Sequence, residues 1–500
     1  MGIDFHSQTE MPLVKALSQC AEHLHAPFYT PGHKRGQSIA TPLKNLLGEQ
    51  VFRADLPELP ELDNLFAPES VILAAQELAA AAFGAERTWF LANGSTSGVI
   101  ATILATCNPG DVIILPRTVH QSAISGLILS GAVPVFIHPD YDASLDIAHS
   151  ITPDAVKAAL ASHPKAKAVL MVSPTYYGAC GDVSAIAQVA HDHGIPLIVD
   201  EAHGAHFAFH PDLPPSALQS GADVAIQSTH KTLSALTQAA MVHVQGSFVD
   251  RDRLSKSLAL VQSTSPNYLL LASLDAARWQ MSTQGKTLMT HTLHLAEQAR
   301  SHISQIPNLA TLSHDHATTP GFVDFDATRL TVTVSGLGID GFIADDILNT
   351  KLNVTAEFPS LNHLTFIISL GNTAADIDQL IRAFKQLAQE CRVQSAEGGV
   401  ESAECGVRNA KFLFPIPCSF PSLSPRDAFF AATETVAIAH AINRISAELV
   451  CPYPPGIPVL IPGEVVTETA IADLQQILAS GGILSGCSDS SFVTLKVVKA

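Results

Sequence analysis

The stretch IPLIVDEAHG, residues 195 to 204, is a run of apolar residues that ends on the acidic pair Asp200 and Glu201. A continuous apolar run of this length is typical of a strand that is buried on both faces of a sheet. The same order of apolar run, polar loop and helical segment recurs from about residue 86 onward. The other runs are TWFLA (88–92), DVIIL (111–115), VPVFI (133–137), AKAVLMVS (166–173), ADVAIQS (222–228) and AAMVHV (239–244). The sequence therefore predicts an α/β fold with a mostly parallel sheet covered by helices.

The composition describes a large, apolar-rich and acidic chain. Its 500 residues are 47% hydrophobic, and the formal net charge is −18. The acidity disfavours nucleic acid and anionic membranes as partners, and it either favours a cationic substrate or serves solubility alone. No uninterrupted apolar run is long enough to span a membrane, and Asp4 and Glu10 precede any apolar run at the N-terminus. We therefore expect a cytoplasmic protein whose 8 cysteines, none of them in a C-x-x-C pattern, stay reduced.

The order of the predicted elements divides the chain into five parts. They are an N-terminal arm, a large domain, a small α/β domain, a linker and a C-terminal α+β domain, at residues 1–60, 61–320, 321–392, 393–410 and 411–500. The strand–helix–strand pattern of the small domain lies in RLTVTVSG (329–336), FIADDILNTKL (342–352) and LTFIISLG (364–371). In the last part, residues 424–449 are expected to be helical.

Polar stretches follow several of these strands, and the carboxyl ends of strands are where sites collect in such sheets. NGSTSG (93–98) brings the hydroxyls of Ser95 and Thr96 to a helix N-terminus, which suits an anion as well as an ordinary N-cap turn. Asp200 ends a buried strand, so its carboxylate needs a cation such as a protonated ring nitrogen, or it caps a helix or forms a salt bridge. His120 follows another strand and is predicted either to stack on a planar ligand or to serve as a structural histidine.

QSTHKTLSALTQ (227–238) surrounds Lys231 with small hydroxyl and apolar side chains. Such shelter lowers the pKa of a lysine and favours its use as a Schiff-base former, although lysines also extend from ordinary helix ends. Lys231 follows Asp200 by 231 − 200 = 31 residues, enough for one helix and one strand. An anion cradle, a buried carboxylate, a stacking ring and a sheltered lysine are together the groups that pyridoxal 5'-phosphate requires.

HGAHFAFH (203–210) raises a metal site as an alternative, because His206 and His210 would share a helix face. The H-E-x-x-H pattern is absent, and Asp200 and Glu201 precede the histidines instead of lying between them. We therefore expect no metal ion here, and interpret the histidines, His203 among them, as a loop that borders the cofactor.

Ten motifs taken together resemble one enzyme family, the ornithine/lysine/arginine decarboxylases of PLP fold type I (aspartate aminotransferase-like). They are FYTPGHKRG (28–36), LPELPELDNLFAPESVI (56–72), ANGSTSGVI (92–100), LPRTVHQS (115–122), SPTYYG (173–178), VDEAHGAHF (199–207), STHKTL (228–233), STSPNYLLLASLDAAR (263–278), SPRDAFFAATE (424–434) and YPPGIPVLIPGE (453–464). The chain resembles the short form without an N-terminal wing domain, and within it the bacterial biosynthetic arginine decarboxylases.

The resemblance implies a role for each matching residue. Lys231 would be the Schiff-base lysine, with His230 beside it on the phosphate side of the cofactor. Asp200 would pair with the pyridine nitrogen, His120 would stack on the ring, and His203, where some relatives carry tryptophan, would contact the ring edge. The phosphate contacts would come from Ser95, Thr96 and Ser228, with Thr264 reaching the partner subunit's cofactor in a homodimer or higher homo-oligomer.

The reaction implied is the decarboxylation of L-arginine to agmatine and CO2, a step of polyamine biosynthesis, with His230 or Lys231 returning the proton. Lysine or ornithine, giving cadaverine or putrescine, is the alternative. A PLP aminotransferase, an inactive PLP-fold binding protein and a metal hydrolase are rival hypotheses. A cationic side chain needs a carboxylate partner, and Glu464 and Asp427 are the first candidates, with Asp63 and Glu434 behind them; capping or a salt bridge is the alternative role for each.

Overall fold

The fold is that of a computed structural model, which describes residues 7–396, 422–453 and 456–499. Its α-helices are α1 Pro12–Glu22, α2 Thr41–Leu47, α3 Glu49–Ala54, α4 Val71–Phe83, α5 Gly94–Thr106, α6 Gln121–Ser130, α7 Pro153–Ser162, α8 Val183–Asp192, α9 Thr229–Thr232, α10 Arg251–Val261, α11 Tyr268–Ile303, α12 Gly341–Lys351, α13 Ala374–Ala396, α14 Pro425–Phe430, α15 Ile438–Ala441 and α16 Glu468–Ala479. Short 3-10 helices cover Pro60–Leu62, Phe207–Phe209, His314–His316 and Ser335–Leu337.

The strands, also numbered in chain order, alternate with these helices over most of the chain. They are β1 Arg87–Leu91, β2 Val112–Pro116, β3 Val133–Ile137, β4 Tyr141–Asp142, β5 Ile147–Ala148, β6 Ala168–Val172, β7 Ala179–Cys180, β8 Leu197–Asp200, β9 Val224–Gln227, β10 Ala240–Val244, β11 Ala310–Thr311, β12 Asp324–Phe325, β13 Arg329–Thr333, β14 Phe358–Pro359, β15 His363–Ile367, β16 Thr433–Ala437, β17 Cys451–Tyr453, β18 Ile483–Ser485 and β19 Thr494–Val498.

The chain divides into two compact units, each built from two stretches of sequence. Unit 1 comprises Met1–Thr106 and Ile198–Met289, and unit 2 comprises Cys107–Leu197 and Thr290–Ala500. These units do not coincide with the five predicted parts, whose boundaries stay a prediction.

In unit 1, four strands follow the order β1-β10-β9-β8. β8 and β9 are parallel, with Asp200 opposite Ile226, whereas β10 is antiparallel to both of its neighbours. Every residue of β8, β9 and β10 is buried, as the continuous apolar runs predicted. Parallel β8 and β9 end at the same edge, so the residues that follow Asp200 and Gln227 leave the strands side by side.

Helix α5 lies directly against these strands because Gly98 has no side chain. A Cβ atom at position 98 would approach three strand side chains within 2.9 Å, those of Leu91, Val242 and Ile226. The close approach holds the N-terminus of α5, where Ser95 and Thr96 lie, against the sheet. The sequence predicts these hydroxyls at a helix start, and the glycine permits that helix to lie close to the strands.

In unit 2, β2 pairs in parallel with both β3 and β6. Parallel pairing of β8 with β9 in one unit and of these three strands in the other confirms the predicted α/β class with a mostly parallel sheet. The carboxyl end of β2 leads into Arg117 and His120, two of the residues considered below.

Unit 2 also contains a four-stranded antiparallel sheet of order β11-β13-β15-β14. Helices α12 and α13 share its apolar core with the last part of α11, through buried side chains that include Leu330, Leu348 and Phe384. The predicted strand–helix–strand unit is therefore present. Helix α13 extends to Ala396, which lies inside the predicted linker, and the remainder of that linker lies outside the described residues.

The expected helix over residues 424–449 is only partly present, because a strand separates the short helices α14 and α15. Only α14 is helical before Thr433, and Thr433–Ala437 forms β16, which pairs antiparallel with β19. TETVA alternates between more and less exposed positions, and threonine and valine are β-branched, so this segment suits an edge strand. A separate apolar core of this part includes Val459, Leu474 and Leu495. No described helix is both long and apolar enough to cross a membrane.

Candidate active site

Lys231 lies on the one-turn helix α9, which begins directly after strand β9. Ser228 ends the extended segment, and the backbone N–H of Lys231 donates to its carbonyl at 3.0 Å. The hydroxyl and apolar neighbours Thr229, Thr232 and Leu233 are all buried, while Lys231 itself is half-buried. The shelter predicted for this lysine is therefore present.

The Lys231 amine contacts a histidine from the segment that follows β8. Nζ of Lys231 lies 3.0 Å from Nε2 of His203, which is 4% exposed. The two residues come together because parallel strands β8 and β9 end at the same edge. The family resemblance predicts that His203 contacts the ring edge of the cofactor. In the structure, its ring contacts the amine of Lys231.

Asp200, the last residue of β8, is a buried carboxylate beside this pair. Burial raises the pKa of Asp200, while the positive charge of Lys231 and a hydrogen bond from the Ala202 N–H oppose the rise. That N–H lies 3.2 Å from Oδ1. A carboxylate in this environment is stabilised by any further cation, because the low dielectric strengthens the attraction.

The predicted phosphate cradle brings together two hydroxyls from separate elements. Oγ of Ser228 donates to Oγ of Ser95 at 2.7 Å, which joins the end of β9 to the first turn of α5. Gly94 precedes Ser95 with φ +73, a conformation that a residue with a side chain rarely adopts. Thr96 is exposed on the same turn. Free backbone N–H groups at the N-terminus of this 13-residue helix add to the affinity for an anion.

Two threonine hydroxyls beside Lys231 are not among the residues that the sequence predicts to bind a cofactor. Oγ1 of Thr229 and Oγ1 of Thr232 are buried and, within the described part of the chain, have no hydrogen-bond partner. Buried hydroxyls are normally satisfied, so an unsatisfied pair next to a functional amine suits a bound ligand. The signal in the sequence was the placing of hydroxyl residues on both sides of the His230–Lys231 pair.

His230 is fixed by the backbone of the strand that follows. Its Nδ1 lies 3.0 Å from the carbonyl oxygen of Ala239, which fixes the ring orientation. Since a carbonyl only accepts, Nδ1 carries the proton and Nε2 faces away from this contact. His230 itself is half-buried.

A buried chain of polar residues begins at Glu201, directly after Asp200. Its Oε2 accepts from Nε2 of Gln227 at 2.7 Å, and its Oε1 accepts from the Ala217 N–H at 2.7 Å. Oε1 of Gln227 lies 3.1 Å from Nε2 of His243, whose Nδ1 lies 2.8 Å from Oγ1 of Thr88. Burial raises the pKa of Glu201 to about 8 and lowers that of His243 to about 3. In the sequence, Glu201 stands out only as the acidic residue after Asp200, and no local pattern indicates its hydrogen bond with Gln227.

His120 belongs to unit 2, where it caps helix α6. Its Nδ1 accepts from the Ser122 N–H at 3.2 Å and lies 2.9 Å from the Ser122 hydroxyl. On the other edge of the ring, a Cβ atom added to Gly456 would lie 3.2 Å from Nε2. The ring is therefore held by its edges, and the predicted stacking on a cofactor stays a prediction.

The four acidic residues proposed for the substrate side chain all have structural partners. Glu464 is buried and bridges to Arg117 at 2.8 Å, and Arg117 also donates to the carbonyls of Pro458 and Val459. Burial raises the pKa of Glu464, against the lowering effect of Arg117. With both Glu464 oxygens held by Arg117, the geometry supports the salt-bridge alternative for this residue.

The other three acids cap or pair in the same way. Asp427 is exposed, and it accepts from the hydroxyl of Ser424 at the start of α14. Glu434 forms an ion pair with Arg444. The carboxylate of Asp63 accepts backbone N–H groups around the start of α4, among them those of Asn64, Glu69, Ser70 and Ile72. The substrate roles of Asp427 and Glu464 stay predictions without support from these contacts.

Thr264 and the histidine loop complete the predicted residues. Thr264 is exposed in the loop before α11, and nothing in the described structure tests its contact with a partner subunit. Phe207–Phe209 is a 3-10 helix, so His206 and His210 lie on neither a long helix nor a strand. Across the residues that the structure describes, no group of three or more His, Cys, Asp or Glu side chains is arranged to hold a metal ion.

Two family models match this chain. The Orn/Lys/Arg decarboxylase major domain matches residues 11–328, and the Orn/Lys/Arg decarboxylase C-terminal domain matches residues 414–482. The arginine decarboxylase of Bacillus subtilis (strain 168) is 38% identical over 494 residues, which cover 99% of each chain. The arginine decarboxylase of Halalkalibacterium halodurans is 38% identical over 492 residues and 98% of each chain.

A solved structure shows the same fold. The lysine decarboxylase of Francisella novicida matches with a TM-score of 0.82 and 21% identity, over 98% of this chain and 81% of that one. At this level of identity the likeness concerns the fold alone, and it confirms the fold type that the motifs implied.

Proposed function

Because the chain belongs to the Orn/Lys/Arg decarboxylase family, we propose that it removes the α-carboxyl group of L-arginine with pyridoxal 5'-phosphate and releases agmatine and CO2. The observation that carries the proposal is the placing of Lys231, His203 and Asp200 at the shared end of β8 and β9. The arginine decarboxylases at 38% identity over nearly the whole chain support arginine as the substrate. The formal charge of −18 agrees with a cationic amino acid.

The residues present fit pyridoxal phosphate. Lys231 would attach it through Nζ, and the hydroxyls of Ser95, Thr96 and Ser228 would hold its phosphate at the N-terminus of α5. The buried carboxylate of Asp200 would keep the ring nitrogen protonated. The unsatisfied hydroxyls of Thr229 and Thr232 also suit a ligand rich in hydrogen-bond acceptors. When bound, the cofactor supplies the electron sink for the electron pair that stays on Cα as CO2 leaves.

The residues of the protein must also supply one proton in each turnover. Loss of CO2 breaks the bond from Cα to the carboxyl carbon, and a proton must take its place, so each turnover consumes one proton. Nζ of Lys231 is the donor that we favour, because Nε2 of His203 lies 3.0 Å away and holds the amine in place. His230 is the second candidate donor, and because its Nδ1–H already bonds the Ala239 carbonyl, it would donate from Nε2 of the doubly protonated ring.

The cofactor site is also expected to be completed by a second copy of the chain. We propose a homodimer or higher homo-oligomer in which Thr264, exposed before α11, reaches the phosphate in the partner subunit. His120 is proposed to stack on the cofactor ring, as the family resemblance implies.

Product analysis with the three basic amino acids tests the proposal. Purified protein with pyridoxal phosphate is offered arginine, lysine and ornithine together, and the amines and CO2 are quantified. Agmatine as the main product supports the proposal, cadaverine or putrescine as the main product replaces arginine as the substrate, and transfer of the amino group to an oxo acid contradicts decarboxylation. Lys231→Ala should form no amine, with the exposed Lys256→Ala as the matched control.

A further inference from the structure

Unit 2 contains a cavity that none of the residues proposed for the reaction lines. Its volume is about 150 Å³. The segment around β5 and β6 contributes Asp146, His149, Tyr176 and Tyr177 to its wall. Phe342 and Phe358 come from the helix α12 and strand β14 segments, and further lining residues lie between Pro452 and Ile477. A cavity of this size accommodates a single aromatic ring, since an engineered apolar cavity of about 150 Å³ in another protein binds benzene.

Among the described lining residues, His149 is the one whose side chain has buried polar atoms without a hydrogen-bond partner. Its side chain is 3% exposed, and neither Nδ1 nor Nε2 has a hydrogen-bond partner among the described residues. The ring is held by an edge-on contact with Phe322, at 4.8 Å between centroids, which fixes its plane without using a nitrogen. Leaving a buried polar group unsatisfied is costly, so an imidazole with two unsatisfied nitrogens in a cavity wall suits a ligand that would satisfy them.

The remaining polar groups of the wall restrict the charge of a ligand. Burial lowers the pKa of His149, so the neutral ring offers one N–H donor and one nitrogen acceptor. Both oxygens of Asp146 are already engaged, Oδ1 by the hydroxyl of Tyr141 and Oδ2 by the amide of Asn362 at 2.8 Å. No described lining residue is a lysine or an arginine, so an anion would find no positive partner.

The aromatic residues of the wall restrict the shape of a ligand. Tyr176 and Tyr177 each meet the ring of Phe358 edge-on, with centroids 5.8 Å and 5.5 Å apart. Such a wall presents ring edges and faces to whatever fills the cavity, and a flat ring matches it best. A cluster of waters would fit less well, because each water needs two to four polar partners and most of this wall is apolar.

We propose that this cavity is a binding site for a small, uncharged, single-ring compound that carries one hydrogen-bonding group, and that His149 recognises that group. Lys231 is not among the residues that line the cavity, and the proposal does not depend on the proposed reaction.

Two fluorinated probes of matched size test the site by ligand-observed ¹⁹F NMR on the purified holoenzyme. 4-Fluorophenol carries the hydrogen-bonding group and 4-fluorotoluene replaces it with a methyl group. We expect 4-fluorophenol to bind roughly tenfold more tightly, the usual gain from one buried hydrogen bond that would otherwise be unsatisfied. Binding of neither probe, or equal binding of both, would overturn the proposal.

Variants identify the residue responsible. His149→Phe keeps a ring but removes both nitrogens, so it should abolish the preference for 4-fluorophenol, whereas the exposed His291→Phe should keep it. His149→Gln, which retains a donor and an acceptor, should preserve part of the preference and serves if His149→Phe does not fold.

The location of the site is tested by two further variants. Ala148→Phe places a ring in the cavity and should weaken the binding of both probes. Lys231→Ala should bind 4-fluorophenol as the wild type does. A preference that persists in folded His149→Phe, or that disappears in Lys231→Ala, contradicts the assignment.

Discussion

Nε2 of His203 lies 3.0 Å from Nζ of Lys231, although 28 residues separate them in the chain. Within a parallel sheet, the segments after β8 and β9 leave at the same edge, and each supplies one member of the pair. A neutral imidazole beside an amine accepts a hydrogen bond from it and fixes where the amine points. We therefore propose that His203 acts on the proposed reaction through Lys231, as a positioning residue.

Removing this contact should slow the reaction more than it weakens substrate binding. We expect His203→Phe to lower kcat about 10- to 100-fold, because positioned acid–base groups contribute factors of this order or larger. His203→Gln, whose amide can contact Nζ, should recover part of the loss. Steady-state kinetics with arginine, together with cofactor content by absorbance, distinguish a loss of positioning from a loss of cofactor. An unchanged kcat in cofactor-saturated His203→Phe would refute this role.

Asp200→Asn tests the buried carboxylate at nearly constant shape. The neutral amide cannot stabilise a protonated ring nitrogen, so we expect kcat to fall by about 10²- to 10³-fold, the range found when one preorganised electrostatic group is lost. Asp192→Asn, an exposed change on α8, should leave kcat as it is. The measurement is single-turnover release of CO2. A loss of less than tenfold would mean that the carboxylate has another role.

Glu201 should make the free energy of unfolding fall as pH rises. Its pKa is raised from 4.5 to about 8 in the folded protein. Between these values the unfolded chain has lost the proton while the folded chain retains it, so stability decreases with increasing pH. The maximal slope is about 1.4 kcal/mol per pH unit for one proton. Urea denaturation of the wild type and of Glu201→Gln from pH 5 to pH 8 measures the slope, which should be smaller in the variant; equal slopes would rule Glu201 out as the source.

Arg117 and Glu464 should matter to stability and not to substrate choice. Removing either partner leaves the other charge buried and should cost about 3 to 5 kcal/mol of unfolding free energy. The double variant Arg117→Met/Glu464→Met should cost less than either single change, because no unpaired charge remains. Denaturation gives the stabilities, and the ratio of kcat/KM for arginine and lysine gives the preference. A changed ratio in Glu464→Gln would instead support a substrate contact.

The positions of the strands along the chain were predictable because burial on both faces leaves a continuous apolar run. The residues at the ends of those runs, Asp200, Ser228 and Lys231, were predictable for the same reason, since a strand end fixes their place. His203 was found only as a residue of the right loop. Its contact with Lys231 depends on how a loop returns to a neighbouring strand, which no local pattern encodes.

Other features required three-dimensional structure altogether. The pairing of Glu464 with Arg117 joins residues 347 positions apart, and each looked like an ordinary motif residue in its own segment. The sequence predicts helix across Thr433–Ala437, whereas pairing with β19 makes this segment a strand. The cavity beside His149 is lined from segments more than 300 positions apart, between Pro116 and Ile477, so no sequence window contains it.

The start of the chain is attached to helix α11 through fully buried charges. Asp275 accepts the Leu13 N–H at 3.0 Å across 262 positions, and Arg278 donates to the carbonyls of Gln8 and Glu10. During synthesis, the first helix therefore emerges from the ribosome long before the residues that will hold it. Residues 8–22 are synthesised well before Asp275 and are secured late, so a nascent chain that stops short of Asp275 should display them to proteases, and a longer one should protect them.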